Sequence, residues 1–158
     1  MINWSPNSNQ LIYHSRRQRE YNIYSFDLKT NKEIKLTHFP TSDIQPVWSN
    51  QGTEIAFLST RGASGRTQIF IMKKDGTQQR SISDNQFQVD DASWLTDDSG
   101  LLFVSWQLGR FSNVFFADIH TGKQIAISPV KAYQSQPLLA PAVLSQHLSI
   151  QSTAMNRQ

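Results

Sequence analysis

Three tryptophans set the frame of this sequence. Trp4 leads into Ser5-Pro6-Asn7, Trp48 into Ser49-Asn50-Gln51-Gly52, and Trp94 into Leu95-Thr96-Asp97-Asp98-Ser99-Gly100. Nine positions after each stands an aromatic residue (Tyr13, Phe57, Phe103) and eleven positions after each a serine (Ser15, Ser59, Ser105). A variable loop follows, then a second matched block: Asn22-Ile23-Tyr24, Gln68-Ile69-Phe70 and Asn113-Val114-Phe115. A turn with Asp27, with Asp75-Gly76, or with Asp118 and Gly122 closes each unit. The tryptophans lie 44 and 46 residues apart. A period of this size belongs to arrays of small structural units that bury apolar faces against their neighbours.

Each unit reads as strands. Ile55 and Phe57 alternate with Ala56 and Leu58, so both faces of that segment are apolar, as a strand covered on both sides requires. The same holds for Ile69 to Met72 and Leu101 to Val104. The last segment of each unit is patterned on one face only, Ile34 and Leu36 against Lys35 and Ile125 and Ile127 against Ala126, which suits an outer strand with one side in water. Turn formers punctuate the chain every 8 to 12 residues, the spacing of a meander of short strands. Helix signals are almost absent before residue 138, and Ala142 to Ile150 fits a short helix or a strand equally. The expected fold is all-β: three four-stranded antiparallel β-propeller blades (about 1–38, 43–84 and 90–128) with a degenerate fourth unit over 133–158, all in a single partial propeller domain. Only three residues precede Trp4, so the first blade is expected to lack part of its innermost strand. Three blades and a remnant do not close a ring, which points to part of a propeller of six or more blades, completed by a longer chain or by a second copy.

The repeat resembles that of TolB-family propellers. Asp43-Ile44-Gln45-Pro46-Val47-Trp48-Ser49 to Ser59-Thr60-Arg61, with Gln68-Ile69-Phe70-Ile71-Met72 and Asp75-Gly76, follows that family's pattern: Asp, Pro-x-Trp-Ser-Pro-Asp-Gly, Ile-Ala-Phe, Ser-x-Arg, Ile-Tyr-Val-Met, Asp-Gly. The first copy departs at Ser8, where Gly is usual, and the third carries Trp106-Gln107 where Arg is expected. Ser135-Gln136-Pro137-Leu138-Leu139 opens the fourth. The resemblance implies a non-catalytic protein-interaction propeller on the periplasmic side of a bacterial envelope, with an envelope lipoprotein or a further domain of a longer chain as partner. Similar repeats also form the gating propeller of prolyl-oligopeptidase-type serine peptidases, which is the alternative. A sugar-lyase propeller would need histidines at equivalent blade positions. His14, His38, His120 and His147 are not so placed, and no metal site or cofactor is expected.

The remaining signals narrow the function. No Gly-x-Ser-x-Gly elbow, phosphate loop or His-Glu-x-x-His occurs, so no catalytic residue is assigned. Zero cysteines exclude thiolate chemistry and disulfides. No signal peptide is recognised and no apolar run reaches membrane-spanning length, so neither a compartment nor membrane insertion is indicated by the residues themselves. The net charge of +3 and the cluster Arg16, Arg17 and Arg19 raise the question of an anionic partner. A hairpin turn in solvent is the plainer reading, and nucleic acid is not indicated. Asp43, Asp90 and Asp91 precede the innermost strands of successive blades. They would either cap the turns there or line the channel mouth with negative charge, where a cation or a basic partner loop would bind. Trp106 stands where a loop starts and would either anchor a partner or fill space beneath that loop.

Overall fold

A computed structural model describes residues 1–83, 88–107 and 111–127. The expected fourth unit lies outside the described residues. Twelve strands form three four-stranded antiparallel sheets. The first blade contains β1 (Ile2–Trp4), β2 (Gln10–Arg16), β3 (Tyr21–Asp27) and β4 (Lys32–Lys35); the second β5 (Asp43–Trp48), β6 (Glu54–Ser59), β7 (Gln68–Lys73) and β8 (Arg80–Ser81); the third β9 (Gln88–Trp94), β10 (Gly100–Gln107), β11 (Phe111–Asp118) and β12 (Gln124–Ala126). Strands pair in sequence order within each sheet, so every blade is a meander. No helix among the described residues is long and apolar enough to cross a membrane.

The first strand of a blade packs on the blade before it. β5 touches β1, β2 and β3, and β9 touches β5, β6 and β7, whereas β4, β8 and β12 pack on no strand outside their own sheets. The first strands are therefore innermost and the fourth strands outermost, as expected for blades around an axis. The short outer strands also limit the unpaired edge presented to other chains.

The doubly apolar strands sit between two blades. Ile55, Phe57 and Met72 join Ile12, Ile23, Leu36 and Trp48 in one core cluster. Ala56, Leu58, Ile69, Ile71 and Ile82 join Val89, Trp94, Leu101, Phe103 and Ala117 in another. Alternate residues of β6 and β7 thus supply both clusters, and each large side chain contributes about 1.5–3 kcal/mol by burial. The aromatic nine positions after each tryptophan pairs across the strand with the aromatic of the second block: Tyr13 with Tyr24, Phe57 with Phe70, Phe103 with Phe115. Their ring centroids lie 5.9, 5.8 and 5.5 Å apart, within the range of favourable aromatic pairs.

The turn after each tryptophan explains the residues around it. The backbone N–H of Ser5, Ser49 and Leu95 donates to the carbonyl of Gln10, Glu54 and Gly100, each at 2.9 Å. The Ser49 hydroxyl also accepts from Thr53 and Glu54 N–H, and the Ser5 hydroxyl from Gln10 N–H. One position in this turn is left-handed in all three blades, at Ser8 (φ 56), Gly52 (φ 68) and Asp98 (φ 59). The family's glycine is replaced there in the first and third blades without loss of the turn. Gly76 has a stricter role: at φ +85 a Cβ would lie 2.8 Å from the Leu36 carbonyl oxygen, so a side chain would push the first two blades apart.

The three tryptophans differ in burial, and one expectation needs correction. Trp48 and Trp94 are 7% and 4% exposed, but Trp4 is 56% exposed, because no described residue lies on the side of the first blade where a preceding blade would stack. Ile34 does not share a buried face with Leu36: it is exposed on the outer strand while Leu36 is buried.

Candidate interaction surface

The innermost strands carry the features that distinguish this surface. β5 pairs with β6 through Ile44↔Leu58 and then Val47↔Ala56, and β9 pairs with β10 through Asp90↔Val104 and then Ala92↔Phe103. Each strand is bulged, and the bulge holds a non-glycine residue in the left-handed region, Gln45 at φ 52 and Asp91 at φ 45. Such a conformation costs roughly 1–3 kcal/mol and redirects a side chain from the regular pleat. The Gln45 N–H donates to His14 Nδ1 at 3.2 Å, tying the bulge of the second blade to the first. Burial, with a smaller contribution from the chain's amino terminus, lowers the His14 pKa, which favours the neutral ring that can accept that bond.

The three aspartates do not occupy equivalent positions. Asp43 pairs with Ser59 and Val89 with Ser105, so the counterpart of Asp43 is Val89, while Asp91 corresponds to Gln45. Asp90 and Asp91 lie within β9 rather than ahead of it, both half-buried. Asp43 is fully buried and has no surface to offer a ligand. Its Oδ2 accepts from Arg61 Nη2 at 2.7 Å. The same guanidinium donates to Gln79 Oε1 at 2.6 Å and Ser59 Oγ at 2.9 Å, and it lies 4.2 Å from the Phe39 ring centroid and 4.8 Å from that of Phe70. One arginine therefore joins β5, the end of β6, the β7–β8 turn and the link before β5.

In the first blade Arg17 takes the place of Arg61. Its guanidinium donates to both carboxylate oxygens of Glu33 at 2.6 Å, lies 4.1 Å from the Tyr24 ring centroid, and shares Glu33 with the Tyr13 hydroxyl. This pair is solvent-facing, with side chains 46% and 32% exposed. Bonds from Arg17 first and Tyr13 second hold the Glu33 carboxyl down to about 2, and Glu33 in turn raises the Arg17 pKa. The depressed carboxyl stabilises the fold fully above its ordinary value of 4.5, and the contribution is lost as pH falls toward about 2. Replacing Arg17 by alanine is expected to return the Glu33 midpoint most of the way to 4.5 in a carboxyl NMR titration. A midpoint that stays near 2 would show that Arg17 is not its cause.

The turn aspartates behave as the sequence suggests. Asp27 Oδ1 accepts from Lys29 and Thr30 N–H, Asp75 Oδ1 from Thr77 N–H, and Asp118 Oδ1 from His120 and Thr121 N–H. These bonds lower the Asp27 and Asp118 pKa values, and at Asp75 the lowering comes first from the bond of the Thr77 hydroxyl and second from the backbone bond. Asp98 reaches further, accepting from Asn50 and Gln51 N–H at 2.7 and 2.8 Å across the boundary between the second and third blades. Trp106 stands one residue before the end of its strand. It lies within β10, opposite Ser112 on one side and Gln88 on the other, and is half-buried. Among the described residues no group of three histidines, cysteines or carboxylates is placed to hold a metal ion.

The profile of the TolB beta propeller domain matches residues 2–149. An uncharacterized protein of Agrobacterium fabrum is 32% identical over 114 residues, covering 70% of this chain and 37% of that protein. The Tol-Pal system protein TolB of Francisella tularensis is 25% identical over 133 residues, covering 84% of this chain and 30% of its own. An uncharacterized peptidase, YuxL of Bacillus subtilis, is 29% identical over 93 residues, covering 59% of this chain and 14% of its own. The chain thus spans between 14% and 37% of the length of these relatives. Among solved structures, TolB from Acinetobacter baumannii superposes with a TM-score of 0.67 at 19% identity, over 81% of this chain and 32% of that one. An oligogalacturonate lyase in complex with manganese gives 0.66 at 16% identity, over 80% of this chain and 40% of that one. With three stacked four-stranded blades and a family match along nearly its whole length, the chain belongs to the TolB β-propeller family.

Proposed function

We propose that this chain is part of a non-catalytic propeller that binds a protein partner, with an envelope lipoprotein in the periplasm as the partner class. The relationship to a Tol-Pal system protein over 84% of the chain carries the reading. The chemistry agrees with it: among the described residues the most deeply buried ion pair, Asp43 with Arg61, is consumed inside one blade, and the turn aspartates are committed to backbone amides. Asp90, Asp91 and Trp106 are proposed as partner contacts. Calorimetric titration of the chain with the soluble domain of the peptidoglycan-associated lipoprotein from the same cell is expected to give a saturable one-to-one complex, weakened by Asp91→Ala. Absence of binding, with peptide hydrolysis by the full-length gene product, would overturn the proposal.

The exposed Ile2 and Trp4 mark the side of the first blade that faces away from the second. We propose that another blade of the same repeat stacks there, supplied by a longer chain or by a second copy. The match to YuxL favours a second reading, the gating propeller of a serine peptidase. A Gly-x-Ser-x-Gly segment downstream in the gene would decide for it.

A further inference from the structure

An open cleft of about 550 Å³ lies at the end of the first blade where the β2–β3 turn meets the link from β4 into β5. It gathers Arg19 from the turn, Lys35 from the last position of β4, and His38 and Phe39 from the link. The one carboxylate in its lining, Glu20, already accepts from the Ser42 hydroxyl at 3.2 Å. Phe39 is 52% exposed, yet its ring is fixed by the Arg61 guanidinium at 4.2 Å. Asn22, 7% exposed, also borders the cleft, and its Oδ1 has no hydrogen-bond partner.

The repeat separates what the blade needs from what this cleft adds. Lys35 stands opposite Tyr24 in the β3–β4 ladder; the residues in the same register are Ser81 opposite Phe70 and Ala126 opposite Phe115. The blade fold is therefore satisfied by serine or alanine there, and the lysine is specific to the first blade. It sits beside two further cationic or protonatable side chains and an anchored, half-exposed aromatic ring.

We propose that this cleft docks an acidic segment of a protein partner, with a carboxylate between Arg19 and Lys35 and a neighbouring apolar side chain against Phe39. This rests on the reading of the chain as a protein-binding module and names the chemistry of one contact. Nucleic acid fits less well: the cleft holds few cations, the net charge is only +3, and phosphate-backbone binders engage a long track of charges. Paired cations in a concave, partly apolar site instead match short acidic peptides.

The test is fluorescence polarisation on the full chain with a labelled peptide of alternating glutamate and leucine, a glutamine counterpart, and a single-stranded oligonucleotide. The glutamate peptide is expected to bind at low salt, and the glutamine peptide roughly tenfold more weakly. Lys35→Ser, the residue that the second blade carries, and Arg19→Ser are each expected to weaken binding about three- to fivefold. Lys74→Ser, at the opposite end of the second blade, is expected to change nothing. Equal binding of both peptides, equal losses for Lys35→Ser and Lys74→Ser, or preference for the oligonucleotide would each overturn the proposal. Lipoprotein binding without glutamate-peptide binding would remove the cleft and leave the module. Glutamate-peptide binding without lipoprotein binding would keep the cleft and remove the proposed partner.

Discussion

Replacing Asp43 by alanine is expected to lower the unfolding free energy by about 3–5 kcal/mol, because it strands a buried guanidinium without its counter-charge. The side chains of Asp43 and Arg61 are 0% and 7% exposed, and their atoms meet at 2.7 Å. Removing one partner leaves the desolvation penalty of the other in place and takes away the attraction that offset it. A loss of that size consumes much of the stability of an ordinary domain, about 5–15 kcal/mol, so the variant is expected to be largely unfolded at moderate urea concentrations. The double variant Asp43→Leu with Arg61→Met should recover most of the loss, since a buried ion pair and a well-packed apolar pair differ little in net stability. Urea denaturation followed by tryptophan fluorescence measures both. A cost below about 1 kcal/mol for Asp43→Ala would mean that the pair behaves like a solvated surface bridge, and the account of Arg61 as the clamp of the second blade would fail.

That role was not readable from the sequence, for a physical reason. An aspartate a few residues before a blade tryptophan has the same local signature whether it caps a turn, lines a channel or neutralises a distant arginine. Its partner lies 18 residues further on, and only the β5–β6 register brings the two together. A plain offset count already separates the aspartates: Asp43 and Val89 each stand five residues before their tryptophan and Asp90 only four, and the bulge that β5 and β9 share at Gln45 and Asp91 preserves that correspondence, so Asp43 matches Val89 rather than Asp90. Trp106 lies one residue before the end of its strand because β10 continues to Gln107 while β6 stops at Ser59, a difference in strand length that no periodicity announces.

What the sequence did disclose followed from features that repeat. The period located the blades, the two-faced strands located the interfaces between them, and Asp27, Asp75 and Asp118 located the outer turns, since each such signal acts within a few residues. The cleft of Arg19, Lys35 and His38 escaped because its members come from three separate segments. The signal that would have found Lys35 is the reverse of the one that found the blades: it is a departure from the repeat where Ser81 and Ala126 show what the fold alone requires.

The three repeat tryptophans, alike in sequence, are expected to respond unequally to truncation. Trp94→Ala should cost about 3–5 kcal/mol, the price of emptying a large buried site. Its ring packs in the cluster shared by the second and third blades, and its Nε1–H donates to the Val47 carbonyl at 3.2 Å. Trp94→Phe should cost less, about 1–2 kcal/mol, by losing that bond and part of the ring. Trp48→Ala should fall near the Trp94→Ala value, since Trp48 is 7% exposed against the first blade. Trp4→Ala should cost under about 1 kcal/mol in an isolated chain, because its ring is 56% exposed and little area is lost from a packed site. Urea denaturation at two protein concentrations turns this series into a test of ring completion. A small, concentration-independent effect at Trp4 means that the face is open in solution and that its partner blade comes from elsewhere. An effect at Trp4 as large as at Trp48, and growing with protein concentration, means that a second copy covers it, because stability supplied by association rises with the concentration of the partner.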